Sequence, residues 1–274
     1  MSLTAADKRA RFRELHQSGC FVLPNPWDVG SAVLLQHLGF KALATTSAGM
    51  AWALGRPDGG VSLDEVLAHL LTLAHATDLP LNADFENAFA DAPAEVAANV
   101  ALAVDTGVAG LSVEDYGGAE TGLYDFDLAV ARVAAARAAI DRSGSGVLLT
   151  ARSEGFIRGK PDLPEAIRRL QAFSQAGADC LYAPGLREED QIRAVVAAVA
   201  PKPVNILTPG LGVAVLAGLG VRRISVGGSL ASAAWGEFLR AAREIAEAGT
   251  FTAFARGASG RELNPIFAAA GEGG

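Results

Sequence analysis

Cysteine is almost missing from this chain: 274 residues hold two, Cys20 and Cys180, each opening an apolar run. Two isolated thiols neither staple a fold nor build a zinc site, and they read as buried, reduced side chains. Histidine is scarce too. His16, His37, His69 and His75 all fall in helical stretches, which argues against a His-ligated zinc and against a Ser–His–Asp triad. Positive charge is in deficit, 23 Lys and Arg against 30 Asp and Glu, for a net charge of −7. With no basic patch, nucleic acid is not an expected partner. No apolar stretch runs free of Gly, Pro or charge far enough to cross a bilayer. The opening "MSLTAADKRARFRELHQSG" is polar and helical rather than a secretory signal, so the expected location is the cytoplasm. No lysine stands at a strand end, which disfavours a Schiff-base aldolase. The segment "PNPWDVGSA" lacks the Gly-x-Gly-x-x-Gly of a dinucleotide site.

What the chain does hold is apolar sequence, half of its residues, enough for a large core. Short β-rich runs alternate with Ala- and Leu-rich helical runs. The strands are expected at 20–24, 41–46, 80–84, 108–113, 146–151, 178–182, 203–207 and 222–226. Helices are expected near 29–38, 62–77, 93–106, 126–141, 163–176, 188–199, 210–219 and 229–247. Ser62, Asp91-Ala-Pro93 and Asp162 offer helix starts. Gly39, Gly107, Gly177 and Gly220 offer helix ends. The phrases "AVDTGVAGLSV", "FSQAGADCLYA" and "LAGLGVRRISV" repeat one grammar, a helix closing at Gly just before a strand. Eight such units imply an α/β fold, a (β/α)8 TIM barrel, in preference to a doubly wound open sheet. Residues 1–274 read as one barrel domain with a short N-terminal helix and a C-terminal arm. After about residue 247, "TFTAFARGASGRELNPIF" is expected to pack on a neighbouring subunit, and "AAAGEGG" to fray.

In such a barrel the loops after the strands form the active face. Acids gather there: Asp58, Asp84 and Glu86 in "PLNADFENAF", and Glu114-Asp115 in "GLSVEDYGG". Carboxylates at strand ends do little for a core, and several on one rim suggest a hard cation. Alternation would send Asp84 and Glu86 to one side with Phe85 opposite, and would let only one of Glu114 and Asp115 face the mouth, Glu114 being favoured. Like charges so placed repel unless a cation sits between them or one is protonated. Oxygen donors without His or Cys point to Mg²⁺, with Mn²⁺ as the variant. Thr46, Ser47 and Ala48 offer hydroxyls and close-set N–H groups to a carboxylate or phosphate. Arg152, with Glu154 two residues on, can fork onto a carboxylate or stabilise a developing oxyanion. Asn205 is a weaker candidate for hydrogen bonding to ligand, and Gly227-Gly228 in "SVGGSL" a weak phosphate cradle.

The segments "NPWDVGSA", "GFKALATTSAGMAWALGRPDG", "LPLNADFENAF", "GVAGLSVEDYGG", "LLTARSEGF" and "AGADCLYAPG", in that order, resemble the isocitrate lyase / phosphoenolpyruvate mutase superfamily over almost the whole chain. The resemblance implies a barrel, a homotetramer with a C-terminal helix exchanged between paired subunits, and Mg²⁺ bound directly by Asp84. Asp58, Glu86 and Glu114 would hold its waters. A 2-oxo acid would meet the backbone at Thr46–Ala48, with Arg152 on its oxyanion side. The implied chemistry makes or breaks a C–C or C–P bond beside the 2-oxo group. Two departures matter. The Lys-Cys-Gly-His gating loop of the lyases is absent from "EDYGGAETGLYDFDLAV", as are the lysine-bearing loop residues of the phosphonate mutase. The Gly-rich stretch common after the metal aspartate reads "NAFA". Tyr116, Glu120 and Tyr124 are open as substitutes for the missing acid. The leading expectation is a Mg²⁺-dependent carbon–carbon lyase, or a related hydrolase or decarboxylase, for a small 2-oxo or 2-hydroxy dicarboxylate, acting through an enolate. The alternatives are a phosphonate or carboxyphosphonate phosphomutase and a metal and 2-oxo-acid binding protein with little catalysis.

Overall fold

The computed structural model describes residues 3–207 and 210–271. Eight parallel strands follow one another in the order β1-β8-β7-β6-β5-β4-β3-β2. They are β1 (Phe21–Leu23), β2 (Leu43–Ala44), β3 (Leu81–Asp84), β4 (Gly110–Glu114), β5 (Leu148–Arg152), β6 (Cys180–Tyr182), β7 (Val204–Leu207) and β8 (Arg223–Ser225). The Ala44 N–H donates to the Pro24 carbonyl at 3.0 Å, so the β1 and β2 edges also approach and the sheet is nearly closed. The expected (β/α)8 barrel is the fold.

The intervening helices are α1 (Ala5–Leu15), α2 (Val29–His37), α3 (Ser47–Ala53), α4 (Leu63–Ala76), α5 (Pro93–Asp105) and α6 (Phe126–Ser143). They continue as α7 (Leu163–Gln175), α8 (Glu189–Val199), α9 (Val213–Gly218), α10 (Ser229–Ala248) and α11 (Gly260–Gly271). Ser62 opens α4 with a full capping box, and Asp162 accepts from Glu165 N–H to open α7. Gly107 and Gly177, at φ of 91° and 102°, take the left-handed turn that ends a helix before a strand. No described helix is long and apolar enough to cross a membrane.

Several local expectations change. The turn after β2 is not all loop: Thr46 accepts from the Gly49 N–H and starts α3. Asp91 does not cap α5. Its carboxylate accepts from the Tyr124 hydroxyl instead, and the N-cap is Ala92 without a side-chain bond. The tail does not fray from Ala268, because α11 continues through Gly271 and lies against α2 of its own chain; residues 272–274 lie outside the described ones.

The strand ends away from the loops are closed by α1. Phe12 is fully buried there, against Gly110, where any Cβ would come within 2.6 Å of the Phe12 ring. Its basic residues tie down carbonyls at the ends of neighbouring helices and in the segments that follow them. Lys8 Nζ donates to Ala74 and Thr77, Arg9 to Val104 and Val108, and Arg13 to Gly146. The Ala74 and Val104 carbonyls lie in the last turns of α4 and α5, at the negative end of each helix dipole.

Candidate active site

The opposite mouth of the barrel opens into a cavity of about 660 Å³. Nine of the residues picked out near the strand ends line it: Thr46, Ser47, Ala48, Asp58, Asp84, Glu86, Glu114, Arg152 and Asn205. Arg152 organises its centre. One nitrogen, Nη1, donates to Asp84 Oδ1 at 2.5 Å, Nη2 lies 3.1 Å from Glu114 Oε2, and Nε donates to Glu154 Oε1 at 3.0 Å. Burial works against its charge, but Glu154, Glu114 and Asp84 outweigh it and hold the guanidinium ionised well above its ordinary range. Tyr182 lies under the guanidinium, 5.3 Å from its carbon to the ring centre. Burial pushes the Tyr182 hydroxyl up to about 12, so it stays neutral.

Asp84 is fixed from three sides. Besides Arg152, its Oδ2 accepts from the Ser47 N–H at 3.0 Å, and its own N–H donates to Thr45 Oγ1. The Ser47 amide expected to meet a ligand is thus engaged by Asp84. Glu86 reaches the cavity by another route than strand alternation. The strand ends at Asp84, and Glu86 takes φ 46°, followed by Ala88 at 58° and Phe89 at 55°. Such non-glycine residues in the left-handed region are strained and persist where the surroundings fix them. Two side chains hold the turn: Asn99 of α5 donates to the Ala88 carbonyl, and Arg132 of α6, 1% exposed, donates to the carbonyls of Asn87, Ala90 and Asp91 and lies over the Tyr124 ring. Burial, with Asp84 and Asp58 nearby, raises the Glu86 carboxyl to about 7. Burial likewise pushes Glu114 well above the carboxylate range, against the pull of Arg152.

Glu114 and Asp115 part as expected. Asp115 faces away from the mouth and accepts from the Glu154 N–H and from Arg169. Asp58 sits on an exposed loop at the rim. Asn205 is fully buried with both amide ends engaged, donating to Ser225 and accepting from Arg223. Of the three open substitutes for the missing loop acid, Tyr116 lines the cavity. Tyr124 is buried with its hydroxyl committed to Asp91 and Asn87, and Glu120 stands exposed outside.

Sequence reasoning missed two arginines. Arg158, on the turn after β5, rests over the Tyr116 ring and approaches Glu114 at 3.7 Å and Glu154 at 3.4 Å. Its signal was present, four residues after Glu154. Arg223 was legible as a charge within the apolar run "VRRISV".

Among the described residues no three acidic, His or Cys side chains converge on a common metal point. Mg²⁺ does not require that. It keeps several waters and typically takes one or two carboxylates, with the rest from substrate. Asp84 at the centre, with Glu86, Glu114 and Asp58 around the same cavity, fits this mode. Burial raises the Glu86 and Glu114 carboxyls, with Asp84 adding to both, and a nearby cation would favour their charged forms.

A barrel with an oxygen-donor acid rim and a guanidinium at its strand ends defines a class, α/β-barrel enzymes that handle small anions beside a hard cation. Within that class, residues 12–246 match the model of the phosphoenolpyruvate phosphomutase family, and the chain belongs to it, within the isocitrate lyase / PEP mutase superfamily. A solved structure from Burkholderia cenocepacia J2315, provisionally described as a lyase/mutase, superposes with TM-score 0.93 at 46% identity over 96% of both chains. Oxaloacetate acetylhydrolase in complex with oxalate superposes with TM-score 0.84 at 26% identity over 99% of both. Oxaloacetate decarboxylase of Paraburkholderia xenovorans LB400 is 32% identical over 203 residues, 70% of this chain and 66% of that protein.

Proposed function

We propose that this chain is a Mg²⁺-dependent enzyme that breaks a carbon–carbon bond beside the carbonyl of a small 2-oxo or 2-hydroxy dicarboxylate. The observation that carries it is Arg152, held ionised and locked among Asp84, Glu114 and Glu154 at the centre of the cavity. Asp84 would bind the ion directly, and Asp58, Glu86 and Glu114 would hold its waters. When bound, Mg²⁺ supplies charge that polarises a 2-oxo group and favours the enolate. The residues do the rest. Arg152 faces the oxygen on which negative charge grows as the electron pair of the breaking bond moves onto the 2-oxo group. Glu114 and Glu154 keep its fork in plane. Ala48, beside the engaged Ser47 and Thr46, presents backbone to the substrate carboxylate, and Asn205 acts by fixing its neighbours. Named activities of the relatives, oxaloacetate decarboxylase and oxaloacetate acetylhydrolase, support a C4 2-oxo dicarboxylate.

Calorimetry with oxalate, with and without Mg²⁺, tests the reading, followed by turnover of oxaloacetate. Asp84→Ala should abolish the Mg²⁺-dependent part of oxalate binding. An Asp84→Ala protein that binds oxalate and Mg²⁺ like the parent sinks it. The family model's description favours a second reading, phosphoryl migration within a phosphonate; phosphorus NMR of phosphonopyruvate separates the two. We infer further that copies associate, a homotetramer being the expected count, through the exposed apolar face of α10 and the segment after it.

A further inference from the structure

We propose that Arg223 turns the floor of the cavity into a carboxylate-binding subsite, which selects substrates bearing a second carboxylate arm. This deepens the proposed function and rests on it for the identity of the rim. Register carries the first part of the argument. Glu114, Arg152, Tyr182, Asn205 and Arg223 form one hydrogen-bonded row across β4 to β8. Paired residues of parallel neighbours share a face, so Arg223 points inward as Arg152 does.

Its partners carry the second part. Arg223 is 2% exposed and lines the cavity. Its Nε donates to Asn205 Oδ1 at 2.8 Å and its Nη1 to Asn82 Oδ1 at 3.3 Å. Both acceptors are neutral amides, and Nη2 has no protein acceptor among the described residues. No described carboxylate lies within salt-bridge distance, whereas Arg152 has three. A buried guanidinium without a counter-charge is costly unless something supplies one. The usual interior of such a barrel is branched and apolar. Around Arg223 it is polar instead, with Asn82, Ser112, Asn205 and Ser225 all buried and all lining the cavity.

Depth carries the third part. Asn82 precedes Asp84 by two residues on β3, so the floor lies about 6–7 Å below the rim. A four- or five-carbon chain with a terminal carboxylate spans that step, and a two-carbon acid does not.

The test compares ligands matched in length. Calorimetry of the full-length protein, with and without Mg²⁺, would set 2-oxoglutarate against 2-oxovalerate and malate against 2-hydroxybutyrate. Oxalate, which has no arm, reports the rim alone. The parent should prefer the dicarboxylate of each pair by roughly tenfold or more, the worth of a charged hydrogen bond. In Arg223→Gln that ratio should collapse toward one, whatever happens to absolute affinity. Asn82→Asp guards against a variant that simply unfolds. It places a carboxylate on Arg223, so it should raise Tm and still erase the preference. A parent without preference, or either variant retaining it, overturns the subsite. Because the ratio is also read without Mg²⁺, failure of oxalate and Mg²⁺ to bind would overturn the metal reading and leave the floor to be judged on its own ratio.

Discussion

Arg152 serves three carboxylates at once, and no other side chain could do so in its place. Lysine would bring one compact charge without the planar fork that meets Asp84, Glu114 and Glu154 on separate nitrogens. Arg152→Lys is therefore expected to lower kcat by about 10²–10³-fold, the scale of a lost oxyanion donor, with a smaller change in KM. Steady-state kinetics on the turned-over 2-oxo acid would check it, and a large KM effect with intact kcat would move Arg152 from the reaction to binding alone. A second residue controls stability from the far end of the barrel. His16 Nδ1 meets the Phe12 carbonyl at 2.7 Å, which leaves Nε2 buried without a partner. Burial, aided by Arg223 and Arg222, depresses its pKa from 6.5 to about 3. The unfolded chain therefore binds the proton first. The contribution is complete above pH 6.5 and is lost as pH falls from there toward 3. Urea midpoints should decline through that window in the parent and decline less steeply in His16→Gln. Equal slopes in the two proteins would exclude His16 as a source of acid sensitivity.

Helix α1 does for the closed end of the barrel what the loops do for the open one. Lys8 is 7% exposed and satisfies two carbonyls from the end of α4. Lys8→Met would strand both, at about 2–4 kcal/mol, and lower Tm by roughly 5–10 °C in a chain of this size. Differential scanning fluorimetry would read it, and an unchanged Tm would mean that α1 is not clamped by Lys8. The turn from β3 to α5 is the matching element at the mouth. Arg132→Met should release three carbonyls of the turn that carries Glu86, Ala88 and Phe89 at positive φ, and Mg²⁺-dependent oxalate affinity should fall with a smaller change in Tm. Isothermal titration beside the melting curve separates these, and unaltered oxalate affinity would relieve Arg132 of any role at the site. These elements also show where the sequence was readable. The helix–Gly–strand phrase fixed the strands to within a residue or two, because Gly at the left-handed turn is a local requirement. Asp84, Glu114 and Arg152 were legible because a charge ending an apolar run has no core role. The Asp84–Ser47 bond, the Arg132 clamp and the bare Arg223 join positions 37, 45 and 141 apart, and no local pattern encodes such meetings. The short α3 escaped because "SAGMAWA" carries no helical alternation of its own and is fixed by packing against its neighbours.

At the scale of the whole molecule the unresolved cost is apolar surface. Phe238, Phe251 and Phe254 are each about 60% exposed, with Trp235 edge-on to Phe238 and Phe251 stacked on Phe254. A monomer rarely leaves so many aromatics together in water, and a contiguous patch of them marks a contact surface. They lie on the first half of α10 and in the segment 251–256 after it, while Gly227-Gly228, just before α10, line the cavity rim. One helix therefore joins the rim to the aromatic surface on which the proposed association would rest. Light scattering behind size-exclusion chromatography should give the parent a mass well above the 28.1 kDa of one chain. Phe238→Glu combined with Phe254→Glu should shift it to a smaller species. Mass action adds an independent readout, since a subunit contact that exists only in the folded state makes Tm rise with protein concentration. That rise should appear in the parent and vanish in the double variant. A parent that runs at 28.1 kDa with a concentration-independent Tm would leave the aromatic face to some other partner.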